Sequence, residues 1–341
     1  MAIAGIHAAN LDAWFAENIK GAQPPLEFDP IAGGHSNLTF RVTDRAGQHF
    51  VLRRPPTGAV IATAHDMARE HRIISALAET AVPVPPALGL CEDEGVNDAP
   101  FYVMAFVDGH VLADSQKTAE IFPRESREKL GAEVIGVLAT LHGIDPTHVG
   151  LGDLGRTEAY LARQLKRWRT QWEKSQTREL GSMEEAYNGL VANIPDQKGA
   201  AIVHGDYRLG NMLVTSEGDV AAVLDWELCT LGDPLADLGY VLNNWGQPGE
   251  EARGGATSFP TTAGGFQTRE EFVALYEELT GRNAEKIGYY RAFQYWRMAA
   301  IVEGVLSRYL KGVMGAQADT DAFRLQVDGL AESARALVAE L

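Results

Sequence analysis

The chain has 341 residues and a formal net charge of −16, which argues against a nucleic-acid partner because phosphate backbones bind basic surfaces. Its length exceeds the ~250–300 residues that one hydrophobic core usually serves, so we expect two lobes. Two distant cysteines, Cys91 and Cys229, fit neither a disulfide nor a zinc framework. The sequence shows no signal-peptide pattern and no window of ~20 uninterrupted apolar residues. We therefore expect a cytoplasmic protein that crosses no membrane.

The first part of the chain predicts a small β-rich lobe over residues 1–104. Asn10 is placed to cap a short helix that follows it. Apolar and polar residues then alternate through residues 38–42, and residues 50–52 form a second apolar run, so both segments predict strands. Apolar residues at helical spacing predict a helix over residues 64–78. The segment "APFYVMAFVDGH" is typical of a strand that leads into a connector.

The remainder of the chain, residues 105–341, predicts a second and mainly helical lobe. The clearest helical spacing covers residues 125–142, 156–176 and 286–311. The apolar runs "AIV" and "VAAVL" predict two short strands among these helices. A loop rich in Gly and Pro, residues 243–266, is typical of a mobile lid or a disordered segment.

The segment "HGDYRLGN" follows a short apolar run and carries the residues best suited to chemistry. Asp206 could accept a proton from a hydroxyl, and the side-chain carbonyl of Asn211 could bind a hard cation. Asp225 ends the next apolar run, and pairing of the two strands would bring it close to Asn211. An amide oxygen and a carboxylate suit Mg²⁺, and phosphoryl transfer needs alignment and positive charge more than covalent help. The alternative is a polar turn with capping side chains.

"HGDYRLGN" followed by "LDWE" resembles the catalytic loop and metal loop of the protein-kinase-like fold. "HGD" and "GDPLADLG" are similar to the aminoglycoside phosphotransferase and choline kinase superfamily, over roughly residues 28–310. "VLRRPP" and "AREHRIISAL" resemble one branch, the phosphotransferase domain associated with certain acyl-CoA dehydrogenases. The resemblance implies an α+β, two-lobed protein-kinase-like fold with a small antiparallel-sheet N-terminal lobe and a mainly helical C-terminal lobe.

The resemblance also implies roles for the catalytic loop. Asp206 orients or deprotonates the substrate hydroxyl, and Arg208 occupies a position that can reach the γ-phosphate. Asn211 and Asp225 hold Mg²⁺. His204 supports the loop by hydrogen bonding.

Two further aspartates in "GDPLADLG" are expected to be structural. Asp233 precedes a proline at a predicted helix start, where a carboxylate can cap free amides. Asp237 resembles the aspartate that braces the catalytic loop from below.

A phosphate-covering loop is expected in "IAGGHSNLTFRV". Gly33 and Gly34 allow close approach of the backbone, and Ser36 and Asn37 can donate hydrogen bonds to phosphate. A hairpin turn explains this segment equally well.

Arg53 takes the place of the usual phosphate-binding lysine, and arginine can grip phosphate in a bidentate manner. Arg54 is a rival by one residue, but the period of two along a strand puts Arg53 on the inward face with Val51. Glu70, on the following helix, is the expected ion-pair partner of Arg53.

"VMAFVDG" resembles the connector between the lobes, where adenine pairs with backbone groups. The expected groups are the Ala105 carbonyl and the Val107 amide, and Met104 closes the back of the pocket. These side chains do not distinguish ATP from GTP.

The acceptor site has the weakest pattern. Glu227, two residues after Asp225, could approach the metal or the substrate, or be a surface carboxylate. Arg297 lies in a strongly apolar helix and should pair with a buried acid or face a cleft, where it would favour an anionic acceptor. Glu250 and Glu251 in the loop give slight support to an aminoglycoside acceptor.

Together these patterns favour a phosphotransferase that uses ATP, with GTP as the alternative nucleotide, and Mg²⁺ to phosphorylate a small-molecule hydroxyl. A metabolic hydroxy acid or hydroxyacyl-CoA ranks above an aminoglycoside as the acceptor. One alternative is a catalytically silent nucleotide- or metabolite-binding module, for which Arg53 is the best support. Nothing in the sequence points to a protein partner.

Overall fold

The computed structural model describes residues 3–31, 37–57, 66–250, 259–312 and 319–341. The chain folds as two units. The first unit comprises Met1–Gly109 and Ala221–Glu227, and the second comprises His110–Val220 and Leu228–Leu341. The division at residue 104 that the sequence suggests stays a prediction.

The first unit contains a five-stranded antiparallel sheet with the order β1-β2-β3-β5-β4. Its strands are β1 (Glu27–Pro30), β2 (Leu38–Thr43), β3 (His49–Arg54), β4 (Ala87–Cys91) and β5 (Phe101–Ala105). The register sets Arg53 of β3 opposite Thr39 of β2 and Tyr102 of β5. The antiparallel sheet expected for the N-terminal lobe is therefore present.

Three helices accompany this sheet among the described residues, where the sequence predicted two, one after Asn10 and one over residues 64–78: α1 (Ala8–Asn18), α2 (Met67–Leu77) and α3 (Glu94–Asn97). Leu11 and Phe15 of α1 join the buried core beneath the sheet with Phe50. Asn10 does not cap α1, because the helix begins two residues earlier and the Asn10 amide donates to the Val96 carbonyl.

The second unit is mainly helical, as expected. Its helices are α4 (Ser115–Ile121), α5 (Arg127–Gly143), α6 (Tyr160–Ser175), α7 (Gly181–Ala192), α8 (Leu235–Asn243), α9 (Arg269–Thr280), α10 (Ile287–Leu310) and α11 (Thr320–Val338). No helix among the described residues is long and apolar enough to cross a lipid bilayer.

Four short strands lie between α7 and α8: β6 (Ala201–Val203), β7 (Met212–Val214), β8 (Val220–Val223) and β9 (Thr230–Gly232). Strand β9, which the sequence did not predict, pairs antiparallel with β6 and sets Ile202 opposite Leu231. The turn after β7 is closed by a hydrogen bond from the Thr215 amide to the Asp219 carbonyl. The segments that follow β6 and β8 carry the candidate catalytic and metal-binding residues.

Candidate active site

The loop after β6 contains a glycine that no other residue can easily replace. Gly205 has φ +85, a conformation that glycine adopts at little cost. A Cβ atom added at Gly205 would lie 2.9 Å from both the Cβ atom and the carbonyl oxygen of Leu228. The tight turn that presents Asp206 therefore requires glycine for both torsional and steric reasons.

A buried aspartate holds this loop from helix α8. The Asp237 carboxylate accepts hydrogen bonds from the backbone amides of His204, at 2.6 Å, and Gly205, at 2.8 Å. His142 Nε2 lies 3.3 Å from the same carboxylate, and the Tyr276 hydroxyl lies 2.8 Å from His142 Nδ1. Burial acts to raise the pKa of Asp237, but these hydrogen bonds and the adjacent histidines outweigh it and lower that pKa. Asp237 therefore braces the loop, as expected from the sequence.

His204 and Asp233 also make structural contacts. The His204 side chain is fully buried, and its Nδ1 accepts a hydrogen bond from the Asp206 amide at 3.1 Å. Asp233 accepts from the Leu235 amide at the start of α8 and from the Tyr290 hydroxyl. Burial raises the pKa of the Asp233 carboxyl. His204 thus supports the loop, and Asp233 supports the start of α8.

The Asp206 carboxylate is oriented by two side chains of its own loop. Asn211 Nδ2 donates to Asp206 Oδ2 at 2.6 Å and to the Asp206 carbonyl at 2.9 Å. Arg208 Nε lies 3.3 Å from Asp206 Oδ1. The Asp206 side chain is 21% exposed, so it can reach a substrate while its orientation is held. This geometry suits a carboxylate that accepts a proton from, or orients, a hydroxyl.

Arg297 of α10 reaches the same loop but makes a different contact from the one expected. Its Nη1 donates to the Gly205 carbonyl at 3.2 Å and to Gln294 Oε1 at 2.9 Å. Its guanidinium lies 5.4 Å from the centre of the Trp168 ring. Among the described residues it forms no ion pair with a carboxylate. A role in binding an acceptor stays a prediction.

The first unit holds a separate cluster of charged residues around Arg53. Arg53 Nη2 lies 2.5 Å from Asp225 Oδ1 and 3.6 Å from Glu227 Oε2, and Nε lies 3.1 Å from Glu70 Oε2. The expected pair with Glu70 is thus present, although this Nε–H lacks the angle of a hydrogen bond. Burial acts to lower the pKa of Arg53, but the surrounding acids, Glu70 foremost, raise it above its ordinary value.

Glu70 is linked to other parts of the cluster. Its Oε1 accepts a hydrogen bond from Asn37 Nδ2 at 3.1 Å, and Asn37 Nδ2 also donates to Glu227 Oε2 at 3.1 Å. The Tyr102 hydroxyl donates to Glu70 Oε2 at 3.1 Å. Burial raises the pKa of Glu70 more than the charge of Arg53 lowers it. Asn37 therefore connects two carboxylates, a role the sequence did not indicate.

Arg54, the rival of Arg53, lies outside this cluster. Its Nη1 donates to the carbonyls of Gly5 and Asn97, and its Nε donates to the Pro55 carbonyl. The alternation of strand faces separates these two adjacent arginines, as the period of two predicts.

Asp225 has an unusual backbone conformation. Its φ is +67, one of three positive values among non-glycine residues in the described part of the chain. Aspartate tolerates this region better than most residues, but the conformation still carries strain, and strained residues concentrate at functional sites. The side chain is 31% exposed and is held by Arg53.

Each unit offers oxygen donors that suit a hard cation. Asp225 and Glu227 offer carboxylates in the first unit, and Asn211 offers an amide oxygen in the second. Within the described residues, no group of three or more His, Cys, Asp or Glu side chains is arranged to hold a metal. Mg²⁺ usually keeps several waters and is bound by one or two carboxylates together with phosphate oxygens. The residues present therefore fit Mg²⁺ bound with a nucleotide.

Comparison with known proteins identifies the family. The sequence pattern of the phosphotransferase enzyme family matches residues 27–277, about three quarters of the chain. The chain belongs to this family. The resemblance to aminoglycoside phosphotransferases and choline kinases is confirmed, and so is the α+β kinase-like fold.

Individual relatives of this chain support the same family assignment. It is 35% identical over 301 residues to acyl-CoA dehydrogenase family member 10 of Mus musculus, which confirms the branch suggested by the sequence. The match covers 84% of this chain but only 27% of that longer protein. A crystal structure from Ralstonia eutropha, assigned by name to the aminoglycoside phosphotransferases, has 34% identity and a TM-score of 0.83, covering 97% of this chain and 98% of that one.

A more distant structure shows the same fold. Aminoglycoside 2'-phosphotransferase-IIIa, in complex with GDP, has 14% identity and a TM-score of 0.64, and the match covers 96% of this chain and 99% of that one. At this identity the likeness concerns the fold alone.

The remaining predicted residues of the chain lie as follows. Gly33, Gly34 and Ser36 fall outside the described residues. Met104 is buried at the end of β5, and the Ala105 amide already donates to the Pro86 carbonyl. The Val107 amide makes no backbone hydrogen bond within the described part of the chain. The roles of these residues toward a nucleotide stay predictions.

Sequence reasoning missed two contributors to these clusters, Tyr102 and His142. Tyr102 lies in an apolar strand, and His142 ends a helix, so neither has a local pattern that signals its partner. The register of β3 with β5 places Tyr102 opposite Arg53. Only long-range packing brings His142 to Asp237.

Proposed function

We propose that this protein transfers the γ-phosphate of ATP to a hydroxyl of a small molecule, with Mg²⁺ as cofactor. The observation that carries the proposal is the Asp206 carboxylate, which Asn211 and Arg208 orient in a partly exposed loop of a phosphotransferase-family chain. An oriented carboxylate can hold the acceptor hydroxyl and take its proton. GTP is the second candidate nucleotide, because one related fold is described with GDP.

Each charged residue has a role in the proposed reaction. Asp206 orients or deprotonates the hydroxyl, and Arg208 contacts the γ-phosphate. Asn211 and Asp225 supply oxygen ligands to Mg²⁺, which when bound neutralises phosphate charge. Arg53 supplies further positive charge to the phosphates.

Supporting residues complete the proposed nucleotide site. Glu70 keeps Arg53 in place, and Glu227 contributes a carboxylate near the metal or the substrate. Gly33, Gly34, Ser36 and Asn37 belong to the phosphate-covering loop, while Met104, Ala105 and Val107 receive the base.

We propose a hydroxy acid or a hydroxyacyl-CoA as the acceptor. The support is the similarity to a protein named as an acyl-CoA dehydrogenase family member, whose name implies acyl-CoA chemistry. An aminoglycoside is the second candidate, because a relative with 34% identity is assigned to the aminoglycoside phosphotransferases.

The test measures Mg²⁺-dependent consumption of ATP with hydroxy acids, hydroxyacyl-CoAs, choline and aminoglycosides in turn. We expect one acceptor class to accelerate the consumption of ATP. In the Asp225→Ala variant, the rate with that acceptor should fall by about 10²-fold or more. Asp219→Ala is the matched control, because Asp219 lies in an exposed turn and pairs with Lys129. Turnover at the wild-type rate in Asp225→Ala would refute the metal assignment.

A binding measurement separates an enzyme from a silent binding module. A nonhydrolysable ATP analogue at a hundredfold excess over its Kd stabilises the native state by about 2.7 kcal/mol. Stabilisation by the analogue and Mg²⁺ without turnover of ATP under any acceptor would favour the silent module. The absence of both would exclude nucleotide function.

A further inference from the structure

Both backbone groups of Gly205 are held by side chains from different helices. Its amide donates to Asp237 of α8 at 2.8 Å, and its carbonyl accepts from Arg297 of α10 at 3.2 Å. This carbonyl belongs to the peptide bond that joins Gly205 to Asp206. Arg297 therefore acts on the backbone directly before the proposed catalytic carboxylate.

Arg297 is itself firmly held. Its side chain is only 7% exposed, Gln294 accepts from its Nη1 at 2.9 Å, and the Trp168 ring covers one face of the guanidinium. Gln294 in turn donates to the Ala236 carbonyl of α8 at 2.8 Å. A guanidinium stays charged under all ordinary conditions, so a buried one needs partners such as these. The result is a rigid donor aimed at one carbonyl.

The loop needs a clamp of this kind. Gly205 has no side chain, and glycine has more backbone freedom than any other residue. Three side chains contact the Asp206 carboxylate, namely Asn211, Arg208 and Tyr240 of α8. Of these, Arg208 is 40% exposed and is assigned to phosphate in the proposed reaction. Contacts to the backbone of Gly205 do not depend on where Arg208 points.

We propose that Arg297 is a positioning residue that sets the orientation of Asp206 through the Gly205 carbonyl, and is not a ligand of the acceptor. The inference rests on the proposed function, in which Asp206 acts on a hydroxyl. Alignment governs phosphoryl transfer, and a displacement of about 1 Å can cost ~10²-fold in rate.

The two roles of Arg297 make opposite kinetic predictions. A positioning residue supports attack by any acceptor, including water, so its loss lowers kcat for ATP hydrolysis without an added acceptor. An acceptor ligand affects only reactions of that acceptor, so its loss raises the KM of the acceptor and leaves hydrolysis by water unchanged.

The experiment compares Arg297→Met and Arg297→Lys with the control Arg178→Met. Arg178 is a partly buried arginine of the same unit that bonds to the Arg324 carbonyl and pairs with Glu303 of α10, away from the catalytic loop. Steady-state hydrolysis of Mg-ATP is measured for each variant, and amide hydrogen exchange is measured over residues 204–207.

We expect Arg297→Met to lower kcat for hydrolysis about 10- to 100-fold, with the KM for Mg-ATP changed less than about threefold. Exchange over residues 204–207 should become faster. Arg297→Lys should fall between this variant and the wild type, because a lysine keeps the charge but not the planar contact with Trp168. Arg178→Met should change neither kcat nor exchange at the loop.

Three results would overturn the assignment. The first is unchanged hydrolysis together with a raised acceptor KM, which would make Arg297 an acceptor ligand. The second is a lower kcat without faster exchange at the loop. The third applies if the wild-type protein shows no turnover of ATP: unchanged amide exchange over residues 204–207 in Arg297→Met would then overturn the assignment. Faster exchange over these residues in the variant would retain the clamp and reject only the proposed function.

A second variant covers the case in which Arg297→Met does not fold. Trp168→Leu removes the ring that stacks on Arg297 while leaving its charge and hydrogen bonds in place. It should lower kcat and accelerate loop exchange in the same direction but to a smaller extent. If kcat and loop exchange stay unchanged in Trp168→Leu, and both are also at the wild-type level in Arg297→Lys, the proposed positioning role of Arg297 is refuted.

Discussion

Arg53 and Asp225 form a direct ion pair within the first unit, with 2.5 Å between Nη2 and Oδ1. Arg53 is only 12% exposed and lies within 3.1 Å of Glu70 as well. The proposed phosphate-binding arginine is therefore paired with a proposed metal ligand. Asp225 and Glu70 both depend on this one positive charge.

Replacing Arg53 should destabilise the first unit strongly. Arg53→Met leaves Asp225 and buried Glu70 without their cation, and breaking a buried pair in this way costs about 3–5 kcal/mol. Chemical denaturation measures the loss. Arg41→Met is the control, since Arg41 and Asp29 form an exposed pair, 45% and 58% accessible, worth less than about 1 kcal/mol. Equal losses in the two variants would contradict the importance of the buried cluster.

Gly205→Ala should reduce both stability and turnover. The substitution forces alanine to φ +85 and pushes its Cβ to 2.9 Å from Leu228. The torsional part alone costs about 1–2 kcal/mol. Gly218→Ala isolates that part, because Gly218 has the same φ and its nearest neighbour lies at 3.8 Å. Unfolding free energies should show a larger loss for Gly205→Ala, and only this variant should lose turnover. Similar losses of unfolding free energy in the two variants would mean that Leu228 moves to accommodate the added Cβ atom, and would contradict the steric argument.

Gly239→Ala should weaken the packing of α8 against α10. A Cβ at Gly239 would lie 2.8 Å from the carbonyl carbon of Tyr290, where the backbone cannot easily move. Overpacking of this kind costs about 1–3 kcal/mol. Gly136→Ala is the matched helical control, since no atom lies within 4 Å of its added Cβ. We expect thermal denaturation to show a lower Tm for the first variant and an equal or higher Tm for the second, because alanine favours helix by up to about 1 kcal/mol.

Asp237→Asn should show a loss of stability that depends on pH. The folded-state pKa of Asp237 lies below its ordinary value of 3.8, so the unfolded chain binds this proton more readily than the folded one. The contribution of the carboxylate is therefore complete above about pH 5 and is lost as the pH falls through the lowered pKa.

The measurement for Asp237 is the difference in unfolding free energy between wild type and Asp237→Asn across pH. We expect about 3 kcal/mol at neutral pH, because the variant weakens a buried network, and a smaller difference below about pH 4. A difference that stays constant down to about pH 3 would show that the charge of Asp237 does not stabilise the loop.

Local sequence patterns were sufficient for the elements and the family. Alternation in residues 38–42 and the apolar spacing of residues 64–78 correspond to β2 and α2, because side chains repeat every two residues in a strand and every 3.6 in a helix. The motif "HGDYRLGN" indicated the family, since its chemistry requires those residues within one short loop.

Features that depend on long-range contacts could not be predicted from the sequence. Strand β9 has only three residues and forms by pairing with β6, so its own pattern is too short to detect. Asn37 donates to Glu70 and also to Glu227, which lies 190 positions after Asn37 in the chain. The partner of Arg297 is a backbone carbonyl, which every residue carries and no sequence pattern marks.

The amino-acid sequence by itself therefore determined the kinase-like family, the antiparallel sheet and the residues proposed for phosphoryl transfer, because these depend on local periodicity and on short motifs. Tertiary structure alone decided which acids other than Glu70 neutralise Arg53, which helices hold the loop before Asp206, and what Arg297 contacts. These pairings depend on the packing of distant segments, and burial makes each of them energetically significant.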